Sequence, residues 1–323
     1  MERPIMTAPS VEMRSDLRLA GTAREAAEQF LCSIDSFNTF RAYRIAILRT
    51  VEWVENNGSA DTEGTNRLLA SVTPEEIGQA MVSLWSAARS STWNARRAAV
   101  LCWLSWCRER GWTAPTMPAD LSRVKPAPEP VTVLSRVAIE SLTAREAIHL
   151  REKTLWWMIF ETCARPRELL QADIEHLDLV ERSCRVRSRR SGNGSGRPVE
   201  ATLRWGPMTD QLLPRLLRDR SQGPVFVTHR RPRAGKFVGC GDLCPDTGLA
   251  RLSYDQARYL LDSVTAVDGL GTGWRLHHLR DSGLAHLAAS GIDVGELMSK
   301  ARHRRPGQLR RYVMPSESKL LDL

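Results

Sequence analysis

The sequence lacks any apolar stretch near the ~18 residues that a membrane span requires. Its N-terminus carries acidic residues and no apolar core, so it is not expected to act as a secretory signal. It lacks an even set of cysteines. The seven present, several inside apolar runs, read as buried reduced thiols of a cytosolic protein rather than a disulfide framework. Cys240 and Cys244 resemble half a metal site, but no second Cys or His pair lies nearby. No metal and no cofactor are therefore expected. Lysine is scarce, and there is no internal repeat. Tyrosine is scarcer still: only Tyr43, Tyr254, Tyr259 and Tyr312.

Arginine is abundant. The 46 basic residues exceed the 37 acidic ones, for a net charge of +9. An excess of that size favours a polyanionic partner, nucleic acid being the usual one. The planar guanidinium grips phosphate bidentately, as lysine cannot. A length of 323 residues allows two domains with real cores.

Residues 1–20 carry Pro4 and Pro9 and are expected to be a flexible tail. Residues 21–112 read as a bundle of four helices. The first carries Ala26, Ala27, Phe30 and Leu31; the second carries Phe40, Tyr43, Ile47, Val51 and Val54 and stops at Asn56-Asn57-Gly58. Thr73-Pro74-Glu75-Glu76 is a capping box with proline at the first helical position. A fourth helix is expected from about Ser91 to Arg110. Arg96 and Arg97 on it are candidates for DNA-backbone contact, weighed against a solvated helix face. Trp93, Trp103 and Trp106 are expected in the core rather than stacked on bases.

Five prolines between residues 113 and 130 exclude a helix there and mark a linker, kept basic by Arg123 and Lys125. Such a segment either lies along DNA or serves as a plain spacer. From 131 to 323 the texture is mixed. Helices are expected over roughly 135–148, 151–163, 253–266 and 276–313. Residues 178–189 and 197–204 alternate around a Ser/Gly-rich turn, a hairpin signal, and Pro224 to Thr228 reads as another short strand. The expected fold is thus mainly α with a small antiparallel sheet.

Phosphoryl transfer is mostly positioning and charge stabilisation. It needs cations on the non-bridging oxygens, a nucleophile, and an acid for the leaving oxygen. The run Thr162-Cys163-Ala164-Arg165-Pro166-Arg167-Glu168-Leu169 puts an arginine at a helix junction. His277-His278-Leu279-Arg280-Asp281 adds a second arginine and an imidazole one turn apart. His303 precedes Tyr312 by nine residues.

These residues carry a resemblance to the tyrosine recombinases of the phage-integrase family. The family's T-G-x-R-x-x-E-L box is matched by Thr162 to Leu169, with Cys163 in place of glycine. Its H-x-L-R-H box is matched by His277 to Asp281, with Asp281 in place of the last histidine. Its L-G-H box, followed nine residues later by tyrosine, is matched by His303 and Tyr312, with Ala301-Arg302 in place of Leu-Gly. Thr39, Tyr43, Ile47 and Val51 also resemble the family's N-terminal helix, where a threonine, a tyrosine and apolar residues recur every four positions. The resemblance spans about residues 21–316.

The resemblance implies an N-terminal helical core-binding domain of SAM-like type, residues 21–112, and an integrase-type α+β catalytic domain, residues 131–323, forming a clamp on double-stranded DNA. It implies a site-specific recombinase of bacterial cytoplasm, associated with the nucleoid, that cuts and rejoins DNA without metal or ATP. Tyr312 attacks the scissile phosphate, leaving a 3′-phosphotyrosyl link and a 5′-hydroxyl. Arg165 and Arg280 hold the phosphate. His277 accepts the tyrosine proton or bonds a phosphate oxygen, and His303 donates a further hydrogen bond. Glu168 is read as a structural partner of the site.

The family's leaving-group lysine should lie in a hairpin, yet the hairpin here holds Arg185, Arg187, Arg189, Arg190 and Arg197 and no lysine. Arg187, Arg189 and Arg190 are candidates for DNA contact, and Lys236 in a later loop is a candidate substitute acid. A protein that is monomeric when free and tetrameric on its recombination site is implied, with Leu320, Leu321 and Leu323 either docked on a neighbouring subunit or folded back. The alternatives are a non-catalytic DNA-binding protein of the same fold and a relaxing enzyme like the type IB topoisomerases.

Overall fold

The computed structural model describes residues 21–57, 67–125, 131–188, 199–233, 235, 238–303, 306–313 and 319–321. The tail 1–20, Arg189, Arg190, Arg197, Lys236 and Leu323 lie outside the described residues. The chain forms two compact units, Met1–Pro128 and Glu129–Leu323.

The first unit is helical. Helix α1 (Ala23–Cys32) begins at Thr22, whose hydroxyl accepts from the Glu25 N–H while the Glu25 carboxylate accepts from the Thr22 N–H. Helix α2 (Phe37–Asn57) is followed by α3 (Pro74–Trp85), which carries the expected reciprocal cap between Thr73 and Glu76. Helix α4 (Ser90–Glu109) completes the set. Their apolar faces meet in a core of Phe30, Ile47, Val51, Met81, Trp103 and Leu104. Burying each such side chain contributes roughly 1.5–3 kcal/mol. Trp93 and Trp103 are buried, and Trp106 packs edge-on against Phe30 and Trp112, so none is presented for base stacking.

Arg96 and Arg97 are partly spent inside this unit. Arg96 donates to the Ala42 carbonyl at 2.7 Å, joining α4 to α2, and Arg97 donates to the Leu121 carbonyl. Asn94 bonds both the N–H and the carbonyl of Val124, and the Trp93 indole reaches the Ser122 carbonyl. Residues 121–124 are therefore held against α4. Arg123 and Lys125 are exposed on that segment.

The second unit is mainly helical with a small antiparallel sheet. Strand β1 (Thr132–Leu134) leads into α5 (Arg136–Ala144) and α6 (Leu150–Thr162). Trp156, Trp157, Met158 and Ile159 make α6 apolar on every side, and it is buried accordingly. Short α7 (Pro166–Leu170) precedes β2 (Leu177–Asp178), β3 (Ser183–Ser188) and β4 (Val199–Arg204), in the order β2-β3-β4. The β3–β4 register sets Cys184 opposite Leu203 and Arg187 opposite Glu200.

Helix α8 (Pro207–Leu217) follows, its first amides taken up by Glu161 of α6. The Met208 and Thr209 N–H groups donate to that carboxylate at 3.0 Å. Then come α9 (Tyr254–Thr265), α10 (Leu276–Ala289), α11 (Val294–Ala301), α12 (Arg310–Val313) and β5 (Lys319–Leu321).

Two expectations are corrected and one open alternative is decided. The region 276–313 is not one helical run. It breaks at Gly291, which takes φ 82°, at Arg302 in the left-handed region, and at the turn opened by Pro306. Pro224 to Thr228 makes only single bridges, Asp173 with Pro224 and Val227 with Arg251. Arginine side chains take its carbonyls instead, Arg220 at Pro224 and Val225 and Arg151 at Val227, so no ladder can extend. The tail does not stand free. Lys319–Leu321 pairs in parallel with β1, Leu320 opposite Val133, the folded-back alternative.

Helix α10 crosses α6 at Gly283. A Cβ there would lie 2.1 Å from the Phe160 carbonyl oxygen and 3.0 Å from the Cys163 sulfur. Backbone cannot yield as a side chain can, so Gly283→Ala should destabilise the unit by about 2 kcal/mol or more. Thermal unfolding checks this, and an unchanged melting temperature would show that α10 and α6 can separate without cost.

Candidate active site

The site is built where α6 ends. Thr162 closes the helix, its hydroxyl bonding back to the Met158 carbonyl and accepting the Ala164 N–H. Cys163 then turns the chain with φ 50°, a left-handed conformation that glycine adopts freely and other residues at a cost near 1 kcal/mol. Its side chain is fully buried, and burial pushes its thiol up to about 11. Arg165 precedes Pro166, which holds it extended at φ −68° and ψ 131°, directly before α7. The junction thus fixes the direction in which Arg165 leaves the backbone.

Glu168 anchors that arginine. Its carboxylate accepts from the Arg165 N–H and from Arg165 Nη1, each at 3.0 Å, and from Arg302 Nη2 at 2.6 Å. Glu168 is buried, in keeping with its reading as a structural partner. Arg302 was not anticipated. It follows α11 at φ 53°, and the His303 N–H reaches back to the Met298 carbonyl, a helix stop in which the left-handed residue is usually glycine. A side chain at this position lets a second guanidinium reach Glu168.

Arg280 enters from α10 and is 4% exposed. It donates to the Cys163 carbonyl through Nη1 and to the Ala301 carbonyl through Nη2 at 2.6 Å, tying the ends of α6 and α11 together. A guanidinium carries five N–H donors, so donor capacity remains beyond these two bonds. Desolvation, then Arg302 and Arg165, lower its pKa to about 10, so it stays charged at neutral pH. Two guanidinium groups on one buried glutamate, with the charged Arg280 beside them, make the site attractive to an anion.

His303 sits beside Arg280, its Nε2 3.4 Å from Nη2. An arginine can only donate, so Nε2 is the acceptor and the proton sits on Nδ1, which is buried without a partner. Desolvation, with Arg280 and Arg165 nearby, holds His303 down to about 4, and it is neutral at pH 7. Its ring stacks on Tyr312 at 6.5 Å between centroids. His277 is exposed, and among the described residues its side chain makes no hydrogen bond. Desolvation of its inner side lowers its pKa, with Asp281 opposing and Arg280 and Arg165 adding to the shift.

Tyr312 is 6% exposed, its ring packed in a small cluster with Cys163, Leu284, Leu297 and Leu309. Its hydroxyl donates to Asp281 Oδ1 at 2.6 Å. Desolvation and the Asp281 carboxylate raise the phenol well above its ordinary value, against the lowering effect of Arg311 and Arg280. Arg311 approaches the other Asp281 oxygen at 3.4 Å and lies over the Tyr312 ring. Asp281 is the site residue that sequence reasoning passed over. The signal was its place directly after Arg280, where the motif has histidine.

The structure thus brings Arg165, Arg280, His303 and Tyr312 together, with His277 at the rim. Arg187 lies exposed on β3, apart from these contacts. Among the described residues, no three His, Cys, Asp or Glu groups come together in a way that could hold a metal ion. No helix among them is long and apolar enough to cross a membrane.

No family model matches the sequence, and no curated protein is similar to it. Solved structures are similar. The lambda integrase dimer bound to a COC′ core site matches with TM-score 0.64 at 12% identity, over 98% of this chain and 85% of that one. The Tn1549 transposon integrase in complex with a circular intermediate DNA matches with TM-score 0.61 at 12% identity, over 91% and 95%. The XerH site-specific recombinase bound to difH substrate matches with TM-score 0.58 at 15% identity, over 90% and 80%. The chain therefore has the fold of the integrases and site-specific recombinases. It is the fold that the sequence motifs led one to expect.

Proposed function

We propose that the protein is a site-specific DNA recombinase that cleaves and rejoins duplex DNA through a 3′-phosphotyrosyl intermediate. The observation that carries this reading is the cluster of Arg165, Arg280 and Arg302 next to a buried tyrosine hydroxyl. A phosphodiester seated between Arg165 and Arg280 relieves their mutual repulsion. It also gains charge-assisted hydrogen bonds that strengthen as negative charge builds in the transition state. Tyr312 attacks, and the 5′-oxygen leaves.

His303 supports Arg280 rather than donating directly, because its Nε2 accepts and its Nδ1 faces inward. His277, exposed and without a partner among the described residues, is free to bond a phosphate oxygen. We assign residues 21–112 to DNA binding, 113–130 to a basic connection and 131–323 to catalysis. Arg123, Lys125 and Arg187 are exposed and suited to phosphate contact, whereas Arg96 and Arg97 hold the bundle together with part of their donor capacity. The relatives of this fold solved on DNA support a double-stranded partner, and a homotetramer on the site completes the reading.

A nicked duplex that traps the cleaved state tests it. The protein should form a covalent adduct with its cognate site, and Tyr312→Phe should form none while binding the same DNA within a few-fold. Binding without any adduct would instead define a non-catalytic DNA-binding protein. Relaxation of supercoils without site dependence would define a topoisomerase-like enzyme.

A further inference from the structure

We infer that Asp281 is the general base that takes the proton of Tyr312 as its phenolic oxygen attacks the scissile phosphate. The inference rests on the recombinase reading and adds to it a catalytic residue that the family motif does not contain at this position.

The geometry is direct. A general base must lie within hydrogen-bond reach of the proton it removes. Tyr312 Oη donates to Asp281 Oδ1 at 2.6 Å, and among the described residues no other side chain accepts from that hydroxyl. The neighbouring imidazoles are otherwise disposed. His303 turns Nε2 to Arg280, lies 6.5 Å from the Tyr312 ring between centroids, and makes no hydrogen bond to the hydroxyl through either nitrogen. His277, on the same helix as Asp281, makes no hydrogen bond to Tyr312.

The pair is also held in place. Asp281 is the residue after Arg280, so the phosphate-binding cation and the proton acceptor share one rigid helix, α10. Arg311 binds the second carboxylate oxygen, leaving Oδ1 to the phenol. Tyr312 cannot swing freely, because its ring is packed among Cys163, Leu284 and Leu309. The charged and titratable groups near Asp281 are Arg311 and Tyr312 from the α12 segment, His277, His278 and Arg280 from its own helix, Cys163 at the end of α6, and His303 after α11.

Burial and, after it, the Asp281 carboxylate make a free phenolate unfavourable, which the raised pKa of Tyr312 reflects. That cost disappears if the proton moves onto Asp281 during attack rather than before it. In the step, the Oη–P bond forms and the P–O5′ bond breaks. The phenolic proton passes to Asp281 Oδ1, and O5′ departs with the bonding pair and takes a proton from water. Rejoining runs in reverse: the 5′-hydroxyl oxygen attacks phosphorus and gives its proton to water, the P–Oη bond breaks, and Asp281 returns its proton to the departing phenolic oxygen of Tyr312.

The test is single-turnover adduct formation on the nicked duplex with Asp281→Asn in the full-length chain. Asparagine keeps a hydrogen-bond acceptor of the same shape but cannot take the proton. Cleavage should slow by about 100-fold or more while DNA binding is unchanged. Replacing the tyrosines biosynthetically with fluorotyrosine, a more acidic phenol, should restore about tenfold of the loss in the variant and alter the unsubstituted Asp281 protein far less. Cleavage by Asp281→Asn within about threefold of the parent, or a defect indifferent to phenol acidity, would reduce Asp281 to a positioning residue and overturn the inference alone. An absence of adduct from the parent protein would instead overturn the recombinase reading, and the base with it.

Discussion

Arg280→Ala should abolish detectable cleavage and also destabilise the catalytic unit. The two effects have separate causes. The guanidinium is the deepest cation of the site, and removing one preorganised donor from a transition-state oxygen typically slows a reaction by about 10² to 10³-fold. Here the same group satisfies the buried carbonyls of Cys163 and Ala301. Alanine leaves both without their partner, at about 1–3 kcal/mol each. Arg280→Lys should recover part of the stability, since one ammonium can serve one carbonyl. It should recover little cleavage, since it cannot span two sites and hold a phosphate as well. Thermal unfolding and adduct formation read the two effects independently, with DNA affinity as the control. Cleavage by Arg280→Ala within tenfold of the parent would remove Arg280 from the phosphate site.

Glu168→Ala should have the next largest effect, although Glu168 touches no reacting atom in the proposed mechanism. Its carboxylate holds Arg165 and Arg302 at once, and the Glu168–Arg302 side chains are only 7% and 15% exposed. Removing it leaves the Arg165 and Arg302 guanidinium groups without the carboxylate they share, next to a charged Arg280. Breaking a buried ion pair from one side costs about 3–5 kcal/mol. The melting temperature should fall accordingly, and cleavage should fall because Arg165 loses the anchor that aims it. A phosphate analogue such as vanadate, which supplies the missing negative charge, should restore part of the lost stability in Glu168→Ala. If stability were unchanged, Arg165 and Arg302 would have to be paired elsewhere, contrary to the geometry.

The sequence made legible what depends on local chemistry. The capping boxes at Thr22 and Thr73, the hairpin and the buried α6 helix all follow from spacing and residue type. Only the box at Thr73 was read in advance. Arg165, Arg280, His303 and Tyr312 could be picked out because each stands in a short motif, although no motif says how they face one another. What remained hidden depends on segments far apart in the chain. The Arg302–Glu168 pair joins positions 134 residues apart, and the Tyr312–Asp281 bond joins positions 31 apart.

Asp281 and Arg302 had been noticed as departures from a pattern, not as participants. The structure gives each departure a partner: the phenol for Asp281, the buried glutamate for Arg302. The β1–β5 pair was invisible for a similar reason. Three-residue strands carry too little alternation to be recognised, and they exist because the chain returns to the start of its own unit. The segment from Pro224 to Thr228 errs in the other direction: its composition suits a strand, but its carbonyls are claimed by arginines.

The central claim is that Tyr312 becomes covalently joined to DNA. The most direct measurement is mass-spectrometric mapping of the peptide that remains attached to DNA after trapping on a nicked cognate site. The account predicts a single modified peptide carrying a 3′-phosphotyrosyl group at Tyr312. Attachment at Tyr43, Tyr254, Tyr259 or any other residue, or cleavage with no attached peptide, would contradict it.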